Sequence, residues 1–274
     1  MRIAIAIASR GRPSAMAGVV MSFWRLQSGR NELAFPLAID DDDVKTIQMA
    51  RFLQEDEPPV VLDIAPRPGT LAECQNRAIK AAAGSDVVVL ASDRTFCITP
   101  GFDEAIANAV KKYPNRVMWF SSPTEPDLVL PIIPKAFLDA VAWDYAPVVW
   151  PFWFIDTWHV ELDRLIHGGP SLRVKCMYSG GRAKTTRGRD FEFWIRLFVA
   201  TRKSRIKASK ILADTFGVEW KEPDPAMIAE FEARDKYQLD HVADFEKAFG
   251  DPSDPGPEYV AAKARAEKIM EALS

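Results

Sequence analysis

The chain has 274 residues, of which 48% are hydrophobic, 27% charged and 11% aromatic, and its formal net charge is −3. This composition excludes wholesale disorder, and a chain of this length buries enough surface to fold without a disulfide or metal staple. It is not a polycation as a whole, and no apolar run reaches the roughly 18 residues that a membrane span needs.

Arg2 to Ala8 is a run of isoleucine and alanine, which predicts a first strand rather than the apolar stretch of a signal peptide. Pro13 suits a helix start. Met16, Val19, Val20, Phe23 and Trp24 then recur near a 3.6-residue period, predicting a helix over Ser14 to Gln27. Leu33 to Ile39 reads as a second strand ending in Asp40-Asp41-Asp42-Asp43. Val44 to Gln54 reads as a helix stopped by Pro58-Pro59, and Val60 to Ile64 as a third strand. After the turn Pro66 to Gly69, Thr70 can cap a helix running to Ala83. Asp86 to Ala91 is a continuous apolar run of strand length, expected at the centre of a parallel sheet with both faces covered. Pro100-Gly101 opens a helix to Lys112, and Arg116 to Phe120 is a further strand.

This order predicts an α/β fold with a parallel sheet and helices on both faces. Ligands of such sheets bind outside the carboxyl ends of the strands. Three polar clusters fall there: Ser9 to Arg12, Asp40 to Asp43, and Ser92 to Arg94.

The second half is less regular. Val148 to Trp158 is rich in Trp and Phe and contains Asp156. Residues 173–210 hold twelve basic residues against two acidic, whereas from Lys221 onward seven basic residues face thirteen acidic ones. That tail reads as helices joined around Asp251 to Pro257. The three cysteines, Cys74, Cys97 and Cys176, have no metal-ligand spacing and form no disulfide framework, which points to a reducing, cytoplasmic setting.

Carboxylates at a strand end can hold a divalent cation or hydrogen-bond a ribose or base; equally, they can form a solvated turn. Position favours function for Asp40 and Asp41, and capping of the next helix for Asp42 and Asp43. Asp93 would converge on the same crevice, and Arg94 beside it suits an anionic ligand such as a diphosphate. Arg10 and Arg12, flanking Gly11, could reach phosphates or be merely solvated, and so could Asn76 and Arg77 two turns into their helix. Asp156 lies among Trp153, Phe154, Ile155 and Trp158. A carboxylate in apolar surroundings can serve as a general base, and at the start of the Trp158 to Ile166 segment it can also be a helix cap. His159, His167 and His241 have no ligand spacing. There is no Walker, dinucleotide-binding or G-x-S-x-G motif.

The ordered series does resemble a family. It runs from Ser9-Arg10-Gly11-Arg12-Pro13 to Asp40-Asp41, then Gly69-Thr70 with Asn76-Arg77. Ala83-Gly84-Ser85-Asp86, Asp93 and Thr99-Pro100-Gly101-Phe102-Asp103 follow. Over residues 2–195 it looks like a GT-A fold, family 2-like inverting glycosyltransferase, closest to compact members from bacteria and phages. The resemblance implies a Rossmann-like, mostly parallel sheet flanked by helices. Residues 1–210 would form the catalytic domain and residues 211–274 a helical C-terminal extension. It implies a nucleotide-sugar donor, often uridine diphosphate-linked. Ser9, Arg10, Arg12, Asp40, Asp41, Gly69, Asn76, Arg77, Asp93 and Arg94 would lie around that donor. Asp156 matches the base that deprotonates the acceptor hydroxyl.

Asp93 matches the first carboxylate of the family's Asp-x-Asp-type motif, which binds ribose and a Mn²⁺ or Mg²⁺ ion. The usual second carboxylate is Arg94 here, and Lys175 to Tyr178 stands where the family often has a late histidine. Three explanations stay open: Asp93 holds a metal with diphosphate and water, Arg94 neutralises the diphosphate without a metal, or the site is degenerate and the protein only binds nucleotides or nucleic acid. The basic segment 173–210, with Tyr178, Phe191, Phe193 and Trp194 interleaved, makes DNA with hydroxymethylated pyrimidines one candidate acceptor, beside saccharides and small molecules. Its part from Ser179 to Arg189 could instead close over the donor diphosphate, or the segment could pair with the acidic tail.

Overall fold

A computed structural model gives the fold, and it describes residues 1–55, 58–121, 130–147, 149–150, 153–179, 189–249 and 256–273. The chain divides into two units: Met1–Pro68, Glu73–Tyr145 and Leu172–Arg182 form the first, and Gly69–Ala72, Ala146–Ser171 and Ala183–Ser274 the second.

The first unit is built on β1 (Arg2–Ser9), α1 (Pro13–Leu26), β2 (Glu32–Asp40), α2 (Val44–Glu55), β3 (Val60–Ala65), α3 (Leu71–Ala81), β4 (Val87–Ser92), β5 (Phe96–Cys97), α4 (Phe102–Lys112), β6 (Met118–Ser121), β7 (Pro131–Pro134) and α5 (Lys135–Ala140). After α6 (Ile155–His167), which belongs to the second unit, β8 (Leu172–Ser179) returns to the sheet. Strand order is β3-β2-β1-β4-β7-β6-β8-β5. The pairs β3–β2, β2–β1, β1–β4 and β6–β8 are parallel, while β4–β7, β7–β6 and β8–β5 are antiparallel.

β1 shows why the centre is stable. Ile3, Ala4, Ile5, Ala6 and Ile7 are all fully buried, so both faces are covered, as a central parallel strand requires. The isoleucines join Leu33, Phe35, Leu37 and Ile39 of β2, Val87 and Val89 of β4, and Met16, Val19, Val20 and Phe23 of α1 in one cluster. Each such side chain contributes about 1.5–3 kcal/mol by leaving water. Phe23 meets Phe102 of α4 edge-on, with centroids 5.1 Å apart. Gly18 of α1 allows a close approach: a Cβ there would lie 2.9 Å from the Phe96 ring.

The sequence-predicted elements from β1 to β4, with α4 and β6, are all present. The sheet is mostly parallel, as the resemblance implies, but β7, antiparallel to both neighbours, sits between β4 and β6. Its sequence, Pro-Ile-Ile-Pro, reads against a strand because proline lacks an N–H donor. The two prolines sit at its ends, where the pairing tolerates them.

The second unit is helical: α6, α7 (Phe191–Ala200), α8 (Arg202–Phe216), α9 (Pro225–Asp240), α10 (Val242–Phe249) and α11 (Pro257–Leu273). Trp150 contacts Phe154, Trp158, Trp194 and Phe198 at centroid distances of 5.6 to 6.4 Å. Beside this aromatic cluster lies a buried ionic one. Arg205 of α8 is fully buried; it pairs with Glu161 of α6 and donates to the Phe198 carbonyl at 2.7 Å and the Thr201 hydroxyl at 2.9 Å. Glu161 also accepts from Arg234 of α9, and Asp235 pairs with Arg202 and Arg234. Burial pulls Arg205 down to about 10, against the opposing field of Glu161. No helix among the described residues is long and apolar enough to cross a membrane.

Candidate functional site

β1 lies between β2 and β4, so the loop leaving β1 is flanked by the ends of both strands. The register pairs Ala8 with Ser92 and Ser9 with Ile39, which puts Ser9, Asp40 and Asp93 at one edge of the sheet. Ser9, Asp40 and Asp93 are buried.

The loop is fastened on both sides. Towards β4, the Ser9 hydroxyl donates to Asp93 Oδ2 at 3.0 Å and Arg12 Nη1 donates to Asp93 Oδ1 at 3.1 Å. Towards β2, Arg10 Nη1 donates to Asp40 Oδ2 at 2.9 Å, and the same guanidinium grips both oxygens of Asp42. The bond to Asp42 raises the Arg10 pKa further, and the same bond holds the Asp42 carboxyl below its ordinary value. The Gly11 N–H donates to Asp43 Oδ2 at 2.6 Å. Gly11 has φ of +68°, a left-handed conformation that favours glycine, and open space lies where a Cβ would stand.

Arg77 of α3 is the third fastener. It donates to Asp63 Oδ2 at 2.8 Å, to the Ile39 and Asp63 carbonyls at 3.0 and 3.2 Å, and to Asp40 Oδ1 at 3.5 Å. This ties the ends of β2 and β3 together and makes Arg77 a positioning residue for Asp40. Asn76 beside it is buried. Asp63, which the sequence analysis passed over, could have been noticed as the one acidic residue of an otherwise apolar strand.

Of the four aspartates that end and follow β2, Asp40 is engaged by two arginines and Asp42 by one. Asp43 accepts from the Thr46 N–H at 3.3 Å, which is the expected capping of α2. Burial pushes the Asp43 pKa up, but the Gly11 and Thr46 bonds outweigh it and leave it below its ordinary value. The expectation that Asp42 also serves α2 is corrected, because its carboxylate turns to Arg10 instead. Asp41 is exposed, and its side chain has no ion pair among the described residues.

Arg94 follows Asp93 in a turn held by the Arg94 N–H on Ser92 Oγ (3.3 Å), the Thr95 hydroxyl on the Ser92 carbonyl (2.9 Å) and the Ser92 N–H on Thr95 Oγ1 (3.0 Å). Its half-buried side chain has no hydrogen-bond or ion-pair partner among the described residues. The resemblance implies a divalent cation at Asp93, and the residues present do not fit one. Both Asp93 oxygens already accept hydrogen bonds, the next residue is a cation, and no group of three His, Cys, Asp or Glu side chains among the described residues could hold a metal ion.

Gly69 precedes α3 and falls in the second unit, as does Asp156. Asp156 lies in the first turn of α6, where a carboxylate interacts favourably with the helix dipole. It is not the N-cap: the helix begins at Ile155, and the capping position is Phe154, in the left-handed region at φ of +67°. A bulky residue there is strained. Stacking holds it, with Phe191 and Phe198 at 5.5 and 4.8 Å from the Phe154 ring. Trp153 Nε1 donates to the Arg189 carbonyl at 3.0 Å. This strain next to Asp156 has no signature in the sequence.

The basic segment is only in part a free surface. Arg196 pairs with Glu192, Arg202 with Asp235 and Arg205 with Glu161. Lys203, Lys207 and Lys210 are exposed along α8. Arg182, Lys184 and Arg187, with most of the Ser179 to Arg189 stretch, lie outside the described residues, as does most of Asp251 to Pro257.

No protein-family model matches the chain, and no curated protein matches it by sequence. Solved structures do resemble it. S. aureus TarS residues 1–349 in complex with UDP-GlcNAc align at TM-score 0.54 and 9% identity, covering 78% of this chain and 70% of that one. The mannosyltransferase PcManGT from Pyrobaculum calidifontis, in complex with GDP-Man and Mn²⁺, aligns at TM-score 0.52 and 13% identity over 98% of this chain and 80% of its own. A longer S. aureus TarS structure aligns at 0.52 and 12% identity over 73% of this chain, but this match spans only 39% of that protein. The shared feature is the fold, the α/β GT-A fold of glycosyltransferases.

Proposed function

We propose that this GT-A chain is a glycosyltransferase that moves a sugar from a nucleoside-diphosphate sugar, uridine diphosphate-linked, to an acceptor hydroxyl with inversion. The observation that carries the reading is the fastened cluster of Ser9, Arg10, Arg12, Asp40 and Asp93 at the carboxyl ends of β1, β2 and β4. Nucleotide ligands of such sheets bind at that edge. Asp41, the carboxylate of this run without an ion-pair partner among the described residues, suits a ribose hydroxyl or a base N–H, while Arg77 and Asn76 shape the wall behind it. Residues 1–210 act as the catalytic region and 211–274 as its helical extension, and the three free thiols suit a reducing cytoplasm.

In the reaction, Asp156 takes the proton of the acceptor hydroxyl as its oxygen attacks the anomeric carbon. The bond from that carbon to the β-phosphate oxygen breaks on the opposite face, and the nucleoside diphosphate leaves with the electron pair. Asp156→Asn tests this. Transfer is expected to fall by about 10²–10⁴, the usual worth of a general base, with donor affinity unchanged. Unchanged turnover removes Asp156 from the mechanism.

The exposed Lys203, Lys207 and Lys210 favour a second reading of the acceptor as a polyanion, DNA with hydroxymethylated pyrimidines. Arg94 favours a second reading of the whole chain, a degenerate module that binds nucleotide or nucleic acid without turnover. Sugar transfer or slow donor hydrolysis excludes the module; nucleotide binding without either one supports it.

A further inference from the structure

We infer that Arg94 and Arg12 together take the donor diphosphate, so that nucleotide binding needs no divalent cation. This rests on the glycosyltransferase reading above and names how its site meets the phosphates.

The placement comes from the sheet. β1 and β4 are adjacent and parallel, and Ala8 pairs with Ser92. The residues that leave the two strands therefore emerge side by side, which is why Ser9 and Arg12 both reach Asp93. Arg12 uses one of the five N–H donors of its guanidinium on that carboxylate, and its side chain is 31% exposed. Arg94 is presented from a turn closed by hydrogen bonds between Ser92 and Thr95, so its backbone is fixed while its head is unpaired among the described residues.

Charge separates the candidates. Arg10 is offset by Asp40 and Asp42, and Arg77 by Asp63 and Asp40. Arg12 is offset by Asp93, which leaves Arg94, among the described residues, as the cation at the ends of β1 and β4 without a carboxylate partner. A metal on Asp93 would have to share that carboxylate with the Arg12 guanidinium, against like charge, and beside a residue that is itself a cation. A diphosphate meets neither obstacle. It accepts from the free donors of Arg12 and from the planar fork of Arg94, and charge-assisted bonds of this type strengthen as the leaving group gains charge. Open space lies where a Cβ at Gly11, next to Arg12, would stand.

The test is calorimetric titration of the purified protein with UDP and GDP, with UMP as the probe lacking a β-phosphate, in EDTA and again in Mn²⁺. The expected result is diphosphate binding of equal affinity, within twofold, in both conditions. Arg94→Ala should then weaken diphosphate binding about ten- to hundredfold, the worth of hydrogen bonds to a charged group, and change UMP binding less than twofold. Arg94→Lys should recover part of the loss, since it keeps the charge without the fork. Arg94→Asp, which restores two adjacent carboxylates, should bind diphosphate only with Mn²⁺. An unchanged thermal midpoint in each variant shows that the fold is intact. Wild-type binding that requires Mn²⁺, or EDTA binding indifferent to Arg94→Ala, overturns the inference and leaves the glycosyltransferase reading standing. No nucleotide binding under any condition overturns both.

Discussion

Arginines at the strand ends and arginines among the helices are used in opposite ways. Arg10, Arg12 and Arg77 hold carboxylates at the rim of the sheet, with side chains 19–36% exposed and, for Arg12, donors to spare. Arg205 is fully buried, carries Glu161 and two backbone-proximal acceptors, and lies 3.7 Å over the Phe198 ring. The first kind of pair shapes a surface that a ligand can still reach. The second joins α6, α8 and α9 and offers nothing to a ligand. Positive charge along a sequence is therefore no measure of positive charge available for binding.

The sharpest way to break this contrast is Glu161→Ala. It would leave the fully buried Arg205 without its carboxylate partner and Arg234 with Asp235 alone, so denaturant unfolding should show a loss of about 3–5 kcal/mol. Glu192→Ala, which removes the exposed helical pair with Arg196, is the matched control and should cost about 0.3–0.5 kcal/mol. Equal effects would erase the distinction.

Asp103 tests an intermediate case, a buried carboxylate satisfied by neutral donors. It accepts from the Ser28 N–H at 2.7 Å, the Ser28 hydroxyl at 2.6 Å and Asn31 Nδ2 at 3.0 Å, and so pins the loop between α1 and β2. Burial pushes its pKa up, but the bonds from Asn31 and Ser28 outweigh this and leave it below the ordinary value. Its stabilisation is therefore present above its unfolded value of about 4 and is lost as pH falls through the lower folded value. Asp103→Ala should destabilise by about 2–3 kcal/mol at neutral pH, and the difference from wild type should shrink on acidification. A difference that grows in acid would reverse the assignment.

The smallest effect is expected on α8. Replacing Lys203, Lys207 and Lys210 together by Ser should change stability by under about 1 kcal/mol, as for exposed positions of which Lys210 loses a surface contact with the Trp220 ring, 5.5 Å away. If DNA is the acceptor, the slope of log affinity against log salt should fall by about one unit per lysine. An unaltered slope takes this helix out of the polyanion reading.

Strands β1 to β4 and β6, helices α1 to α4 and the sheet edge where polar residues gather were legible because each depends on periodicity within ten residues or so. Ile3 to Ile7, the helix face from Met16 to Phe23, and the run from Val87 to Ala91 state their burial locally. β7 was not legible, since its prolines argue against a strand until its neighbours are known. Nor was the partition of the charges. Arg12 and Asp93 are 81 residues apart, Arg77 and Asp40 37, Arg205 and Glu161 44. No local pattern records such pairs, because the chain's path through the sheet and the helices brings them together. The sequence by itself determined that Arg94 stands where a carboxylate was expected. Only the tertiary structure decided that Asp93 is already satisfied by Ser9 and Arg12, and this follows because β1 and β4 run side by side and end at the same edge.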